Sequence, residues 1–385
     1  MAEVRPFVGL IYNKNIVENL EDVVSPPYDI ISPSLQMELY NRHPYNIIRL
    51  ELPFGNGRER YINASKTLEL WIENKVLTNT EKTSFYFYRE KYNIEGKERI
   101  LRGLFGIVKI EPFEKRIILP HEFTFPKPKE DRFNLLRYTK SNISPILGIY
   151  FDETGFGREI WEYIELQKPL FSSDRFTLWV IDNWLENITN LFKDKIILIA
   201  DGHHRYETAL EYKNLMELEL GKPGPYSFVM MFLVDAYSGG LTLLPTHRVI
   251  KGVSNDFEGE LLSTFSLERT NLIEANQDEH LVYVYKRGEI FKFRTEELNV
   301  ISIHRLLDKF TNISIFYTHS LEEAKSLVDT NAYDLAFFVS SLSMNTLKVI
   351  VERGERLPQK STYFYPKIGA GLVIYNHNLN NGEMR

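Results

Sequence analysis

The 385-residue chain contains no cysteine. That excludes disulfides, cysteine-ligated zinc, iron–sulfur clusters and a thiol nucleophile within it. Long apolar runs are missing too, none approaching the ~20 residues a membrane span needs. The opening Met1-Ala2-Glu3-Val4-Arg5-Pro6 has no apolar signal-peptide core. These absences predict a soluble, cytoplasmic protein with no membrane partner. Basic tracts are scarce, and the formal net charge is −6. No global field draws nucleic acid, so no nucleic-acid partner is expected. Nothing in the sequence fixes an oligomeric state. There is no internal repeat and no low-complexity segment.

Hydrophobic residues make up 43% and aromatics 13%, enough for well-filled cores. The length suggests about two or three domains. The expected boundaries are an N-terminal α+β domain over 1–160, a central segment over 161–252 and a C-terminal α+β domain over 253–385.

The densest chemistry lies at 196–210. An apolar strand, Ile196–Ala200, stops at Asp201-Gly202, and His203, His204 and Arg205 follow as a helix pattern begins. Strand, glycine turn and helix aim backbone N–H groups and a helix N-terminus at an anion. His203, His204 and Arg205 supply donors and positive charge where phosphate would sit, and Asp201 can orient a nucleophile or hold a metal. The plainer alternative is an Asp N-cap before a satisfied turn, with His203 and Glu207 pairing at i,i+4.

Four further clusters stand out. Leu119-Pro120-His121-Glu122 followed by Lys127-Pro128-Lys129-Glu130-Asp131-Arg132 mixes carboxylates with cations. Such a set can bind Mg²⁺ through Glu122 and Asp131, and phosphate through Lys129 and Arg132; it can also be a solvated loop. Pro245-Thr246-His247-Arg248 places His247 and Arg248 at a strand end, fit for an anion or for a capped turn. Gln359-Lys360-Ser361-Thr362, with Lys367, lacks the Gly-x-x-x-x-Gly of a P-loop. A small phosphate- or carboxylate-binding turn at Lys360, Ser361 and Thr362 remains open. Pro26-Pro27-Tyr28-Asp29 can present Tyr28 and Asp29 to a cleft on a rigid turn, or be a turn only. A shared zinc on His203 and His204 is not expected, because adjacent rings stand about 100° apart on a helix and His-x-x-x-His is absent.

Local patterns predict elements around these motifs. Val23–Val24 reads as a strand running into the double-proline turn, and Ser32-Pro33 as a helix start ended by His43-Pro44. Ile47–Leu52, Phe85–Lys91, Glu98–Lys109, Arg116–Leu119, Ile146–Phe151, Thr177–Asp182 and Tyr226–Ala236 read as strands. Residues 60–76 have helical spacing, and 121–142 read as a loop followed by a helix. Leu281–Tyr285 and Ile290–Arg294 form a hairpin; Leu321–Val328 is a helix, and Leu335–Ser340 and Leu347–Val351 are strands.

With Ala200-Asp201-Gly202-His203-His204-Arg205-Tyr206-Glu207-Thr208-Ala209 and the blocks at 25–29, 119–122, 129–132, 244–248 and 358–367, the chain resembles a widespread prokaryotic family of conserved proteins of undefined function. More distantly, Asp201–Arg205 before an alanine-bearing helix resembles the nucleotide-binding signature of the ParB/sulfiredoxin superfamily, and most closely its free-serine-kinase-like subgroup. This chain is far longer than a minimal ParB-like domain. The resemblance implies an α/β (α+β) fold. Its mixed-sheet, ParB/sulfiredoxin-like core would lie around 177–250, assembled with strands from the N-terminal half, carrying large insertions and a C-terminal α+β lobe. It implies phosphate binding by Gly202, His203, His204 and Arg205, with Asp201 as a catalytic or metal-side group.

The resulting expectation is a Mg²⁺-dependent phosphoryl-transfer enzyme using a nucleotide such as ATP or ADP on a small metabolite, serine or phosphoserine favoured. Asp201, His204, Glu122 and Asp131 are the candidate catalytic residues, Asp201 and Glu122 the candidate metal ligands, and His121, Tyr28 and Asp29 the other cleft residues. The alternatives are a non-catalytic nucleotide-binding switch and a phosphomonoesterase.

Overall fold

The structure, a computed structural model, describes the chain except residues 95, 124–126, 274–277 and 382–385. Residues 124–126, part of the expected 121–142 loop, thus lie outside the described residues. The chain divides into two compact units. The first comprises Met1–Pro120, Thr124–Leu241 and Pro366–Arg385, and the second His121–Phe123 and Thr242–Tyr365. The expected boundary at 160/161 falls inside the first unit, because strands from both sides of it share one sheet. The boundary near 252 is displaced to 241, since Thr242–Leu244 and His247–Lys251 pair only with strands of the second unit.

The first unit is built on a nine-stranded mixed sheet. Its order is Ile118–Pro120, Ile197–Asp201, Ile146–Tyr150, Phe228–Asp235, Lys97–Lys109, Phe85–Ile94, Phe176–Ile181, Phe171–Ser172, with Val4–Arg5 added on Lys97–Lys109. Ile197–Asp201 runs parallel to Ile118–Pro120, and Ile146–Tyr150 parallel to Phe228–Asp235; the other pairs are antiparallel. Fully apolar runs such as Ile197–Ala200 and Phe228–Val234 are buried along their whole length, as strands covered on both faces should be. The mixed α/β architecture is therefore present, with strands at 176–235 and in the N-terminal half in one sheet. A second small sheet joins Leu77–Asn79, Gly9–Tyr12, Ile374–Asn376 and Ser141–Asn142, and so ties the C-terminal segment into this unit.

The second unit is a six-stranded antiparallel sheet ordered Glu268–Thr270, Glu289–Arg294, Leu281–Lys286, Leu335–Val339, His247–Lys251, Ser314–Thr318. Period-2 alternation splits its side chains between two cores. Ile250, Val282, Val284 and Phe337 pack with Phe257 and Leu261 of helix Asn255–Thr264 and Ile303 of helix Asn299–Leu307. Val249, Tyr283, Tyr285 and Phe338 pack with Ala324 and Val328 of helix Leu321–Asp329.

Three element expectations are corrected. Ile47–Leu52 is not a strand: Ile48–Glu51 is a short helix. Asn46 starts it, its side-chain oxygen accepting the Ile48 N–H at 3.0 Å and so turning the chain. Leu347–Val351 lies in helix Met344–Glu352, where the Ser343 hydroxyl caps the Thr346 N–H at 3.0 Å. Its buried Leu347, Ile350 and Val351 have i, i+3, i+4 spacing, which outweighs the β-branched run. Val23–Val24 is no strand either, because Asn19 caps a 3₁₀ turn at Leu20–Asp22 just before it. Only Ser25 then bridges, to Ala370.

Candidate functional site

In the first unit the chemistry gathers where strand Ile197–Asp201 gives way to helix His203–Leu220. The pairing of this strand with Ile146–Tyr150 shifts register between Ile199 and Asp201. Such a bulge re-aims the residue that follows it. Gly202 sits at φ +90°, in the left-handed region, where an added Cβ would lie 2.9 Å from Arg205 Nε. With glycine at the N-cap, no side chain caps the 18-residue helix from that position. Its positive end is thereby presented to the space around Asp201.

Two cations close on Asp201. Lys367 Nζ lies 2.6 Å from Oδ1 and Arg205 Nη2 2.9 Å from Oδ2. The side chains of Asp201, Lys367 and Arg205 are 17%, 12% and 10% exposed. Burial pushes the Asp201 carboxyl upward, but Lys367 and Arg205 overcome this and hold it well below the usual carboxylate range. Arg205 also donates to the Pro145 carbonyl.

A second ionic group adjoins the first. Arg132, 5% exposed, pairs with Asp131 and donates to the Glu51 carbonyl at 3.0 Å, with the Glu51 carboxylate at 3.4 Å. Asp131 also takes Arg60 and, at 2.8 Å, the Tyr61 hydroxyl. Burial raises the Asp131 carboxyl, yet Arg132 and its other partners leave it below its ordinary value. Ser144 donates to Glu51 at 2.9 Å. The Arg132 guanidinium stacks 4.2 Å from the Tyr28 ring centroid. Burial pushes the Tyr28 hydroxyl up to about 12 against the opposing pull of Arg205 and Arg132. A cavity of about 50 Å³ is lined by Glu51, Arg132, Ser144, Arg205 and Thr208, so the two groups meet there.

Around this core, His203 and His204 occupy the first helical turn, both half-buried. Lys129 forms an ion pair with Glu207. Asp29 is exposed in the 3₁₀ turn Tyr28–Ile30. Glu51, Arg60, Tyr61 and Ser144 were not singled out from the sequence, and Lys367 was grouped there with Lys360 rather than with Asp201.

The second unit gathers the remaining motif residues. Glu122 Oε1 accepts the Thr362 N–H and hydroxyl, each at 2.8 Å, and Oε2 accepts the Lys360 N–H at 3.2 Å. The turn at 360–362 is thus an anion-binding turn whose anion is the chain's own Glu122. Ser361 donates to the Pro358 carbonyl at 2.7 Å. His121, 1% exposed, lies 2.6 Å from the Thr362 hydroxyl. Arg248 is fully buried, with Nη1 donating to the Thr246 carbonyl at 2.6 Å; burial lowers it to about 10 despite Tyr317 and Glu122. Burial and Arg248 together lower the His247 imidazole to about 4.

The expected metal ligands do not fit a protein-held Mg²⁺. Both Asp201 oxygens hold cations, Asp131 holds Arg60 and Arg132, and both Glu122 oxygens hold backbone amides. Among the described residues no group of three or more His, Cys, Asp or Glu is arranged to hold a metal ion. Among them, too, no helix is long and apolar enough to cross a membrane.

Comparison with solved structures finds likenesses at low identity. A conserved hypothetical protein from Pyrococcus furiosus is 16% identical over 72% of this chain and 97% of its own, with a TM-score of 0.42. A free serine kinase variant in complex with AMP is 17% identical over 73% of this chain and 95% of its own, with a TM-score of 0.42. SbnI from Staphylococcus aureus, truncated at its C-terminus, is 14% identical over 69% and 84%, with a TM-score of 0.41. No curated protein matches the chain. Residues 4–310, most of the sequence, match the family described as protein of unknown function (DUF1015), and the chain belongs to that family.

Proposed function

We propose that Asp201–Arg205, Lys367, Arg132 and Tyr28 form the phosphate-binding part of an active site that transfers a phosphoryl group between a nucleotide such as ATP or ADP and a small hydroxyl-bearing metabolite. The observation that carries this is local. Two buried cations share one carboxylate beside the uncapped positive end of an 18-residue helix. Two cations meet one carboxylate here, and the helix end adds its positive pole beside them. Such a cationic helix end is a place where an oxyanion binds.

Phosphoryl transfer depends on positioning and charge neutralisation more than on covalent chemistry. In this reading Arg205 and Lys367 meet phosphate oxygens, and Asp201 orients both cations. His203, His204, Lys129 and Arg132 surround the phosphates. Tyr28, a neutral hydroxyl at pH 7, donates a hydrogen bond. A carboxylate held far below its usual range is a weak base, so Asp201 acts here as a positioning residue. Mg²⁺ enters only as an ion carried on nucleotide phosphates, and no step is routed through it. Serine with phosphoserine is the favoured pair, on the resemblance of Asp201–Arg205 to the free-serine-kinase-like motif.

The test is a ³¹P NMR time course on purified protein with Mg²⁺. One tube holds serine with ATP or ADP, another phosphoserine alone. A phosphoserine signal that disappears in Lys367→Met establishes the kinase and places its site. One observation favours a second reading, a nucleotide-binding switch: Asp201 and Asp131 are each held by two cations, so neither stands uncommitted to take a proton. Nucleotide line broadening without product would select the switch. Phosphate released from phosphoserine alone would select a phosphomonoesterase, and no change in any tube would refute phosphate chemistry here.

A further inference from the structure

The nine-stranded sheet has a second cleft. Asp201 pairs with Leu147 near the start of Ile146–Tyr150. At the far end of that strand, about 10 Å along at ~3.3 Å per residue, a cavity of about 410 Å³ opens beside Tyr150, Asp235 and Trp161. Tyr150 and Asp235 are register partners on parallel strands, Ile146–Tyr150 and Phe228–Asp235. Ligands of α/β sheets commonly sit beyond the carboxyl ends of such strands.

The polar groups of this cleft are unevenly used. Asp235 Oδ1 accepts the Asp152 N–H at 3.2 Å and the Tyr237 N–H at 3.1 Å. Among the described residues its Oδ2 has no hydrogen-bond partner. Tyr150, which lines the cavity, is 3% exposed, and among the described residues its hydroxyl has none either. Gly157 packs close by: a Cβ there would meet that oxygen at an ordinary 3.4 Å contact and Asp152 Oδ2 at a tight 3.1 Å. Asp152 is spent as a cap, taking the Gly157 N–H at 2.7 Å. Arg102 is tied to Glu165 at 3.0 Å. Burial, with Asp152 as a neighbouring like charge, raises the Asp235 carboxyl.

Charge and shape then indicate the ligand. The ionisable lining is Arg102, Arg158, Asp152, Glu162, Glu165 and Asp235. Glu165 is paired with Arg102 and Arg89, and Asp152 lies 4.0 Å from Lys195, which leaves Glu162 and Asp235 without an ion pair among the described residues. Trp161 and Tyr237 supply aromatic surface. A cavity of this size suits a small organic molecule, and carboxylates without an ion pair beside aromatic rings favour a positive one. We propose that this cleft binds a small organic cation, a primary ammonium on an apolar or aromatic body, with the ammonium on Asp235 Oδ2 and Tyr150 and the body against Trp161 and Tyr237.

The test uses the intact chain and phenethylamine as probe, titrated by calorimetry and by saturation-transfer NMR. Its neutral counterpart N-acetylphenethylamine and the anion phenylacetate are the controls. Asp235→Asn keeps an Oδ1 for the two backbone amides and removes only the charge, so the fold is retained; circular dichroism checks this. Tyr150→Phe removes only the hydroxyl. The expected result is binding of the amine alone, about tenfold or more weaker in Asp235→Asn and measurably weaker in Tyr150→Phe. No binding of the amine, equal binding of either control, or unchanged affinity in Asp235→Asn would each overturn the proposal.

Discussion

Replacing Asp201 with Asn removes the carboxylate between Lys367 and Arg205 while keeping the side chain's size. Two cations whose side chains are 12% and 10% exposed are then left without it. Breaking a fully buried ion pair costs about 3–5 kcal/mol, and an exposed one about 0–1 kcal/mol. With Asp201 itself 17% exposed, solvent screens part of the effect, and a loss of about 2–3 kcal/mol is expected. At roughly 2–4 °C per kcal/mol for a unit of this size, the melting temperature should fall by about 5–10 °C by calorimetry at pH 7.5. Since the folded Asp201 lies below its unfolded value, its contribution is fully present above the unfolded pKa of about 3.9. It is lost only as pH falls through the folded value. The deficit of Asp201→Asn should therefore stay constant from pH 8 to pH 5. Inorganic phosphate should narrow it less in Lys367→Met/Asp201→Asn, where one cation of the proposed phosphate pocket is gone. An Asp201→Asn melt within 1 °C of the parent, or a deficit that grows between pH 5 and pH 8, would refute the picture of a carboxylate clamped by two cations.

Gly202→Ala places a Cβ 2.9 Å from Arg205 Nε at φ +90°. A loss of about 1–3 kcal/mol follows, read by chemical denaturation, with Gly202→Asn milder because Asn tolerates this region better. Arg132→Met strands the buried Glu51 carboxylate and should cost about 3–5 kcal/mol; Glu51→Gln in the same chain should recover part of it in a double-mutant cycle. His247, lowered to about 4 by burial, is neutral when folded, and its Nδ1 faces the Val339 N–H at 3.4 Å. Its contribution is complete above about pH 6.5 and is lost as pH falls toward 4, by about 3 kcal/mol; His247→Gln should flatten that slope, as followed by urea midpoints across the range.

How much of this was readable beforehand depends on the reach of each interaction along the chain. The strand, turn and helix at 197–220 are local: an apolar run, a glycine able to take positive φ and a helix pattern lie within adjacent residues. The two halves of the hairpin at 281–294 are equally local, with Arg287 and Gly288 at positive φ between them. Misreadings arose where a short apolar or β-branched run competed with a cap. Asn46 and Ser343 each hold a backbone N–H and start a helix in sequence that otherwise reads as strand. The candidate site was half legible for a different reason. Asp201 and Arg205 are four residues apart, but Lys367 is 166 residues from Asp201, and Arg132 is 81 from Glu51. No spacing rule reaches so far; the C-terminal segment joins the first unit through the small sheet containing Ile374–Asn376 and Ser141–Asn142 and through the Ser25–Ala370 bridge. The turn at 360–362 shows the consequence most plainly. Its residue types left a small anion-binding turn open, and whether the anion is a ligand or Glu122, 240 residues away from Thr362, is decided by topology. Residue chemistry therefore narrows what a segment can hold, and topology decides whether the chain itself fills that place, as Glu122 does at the 360–362 turn.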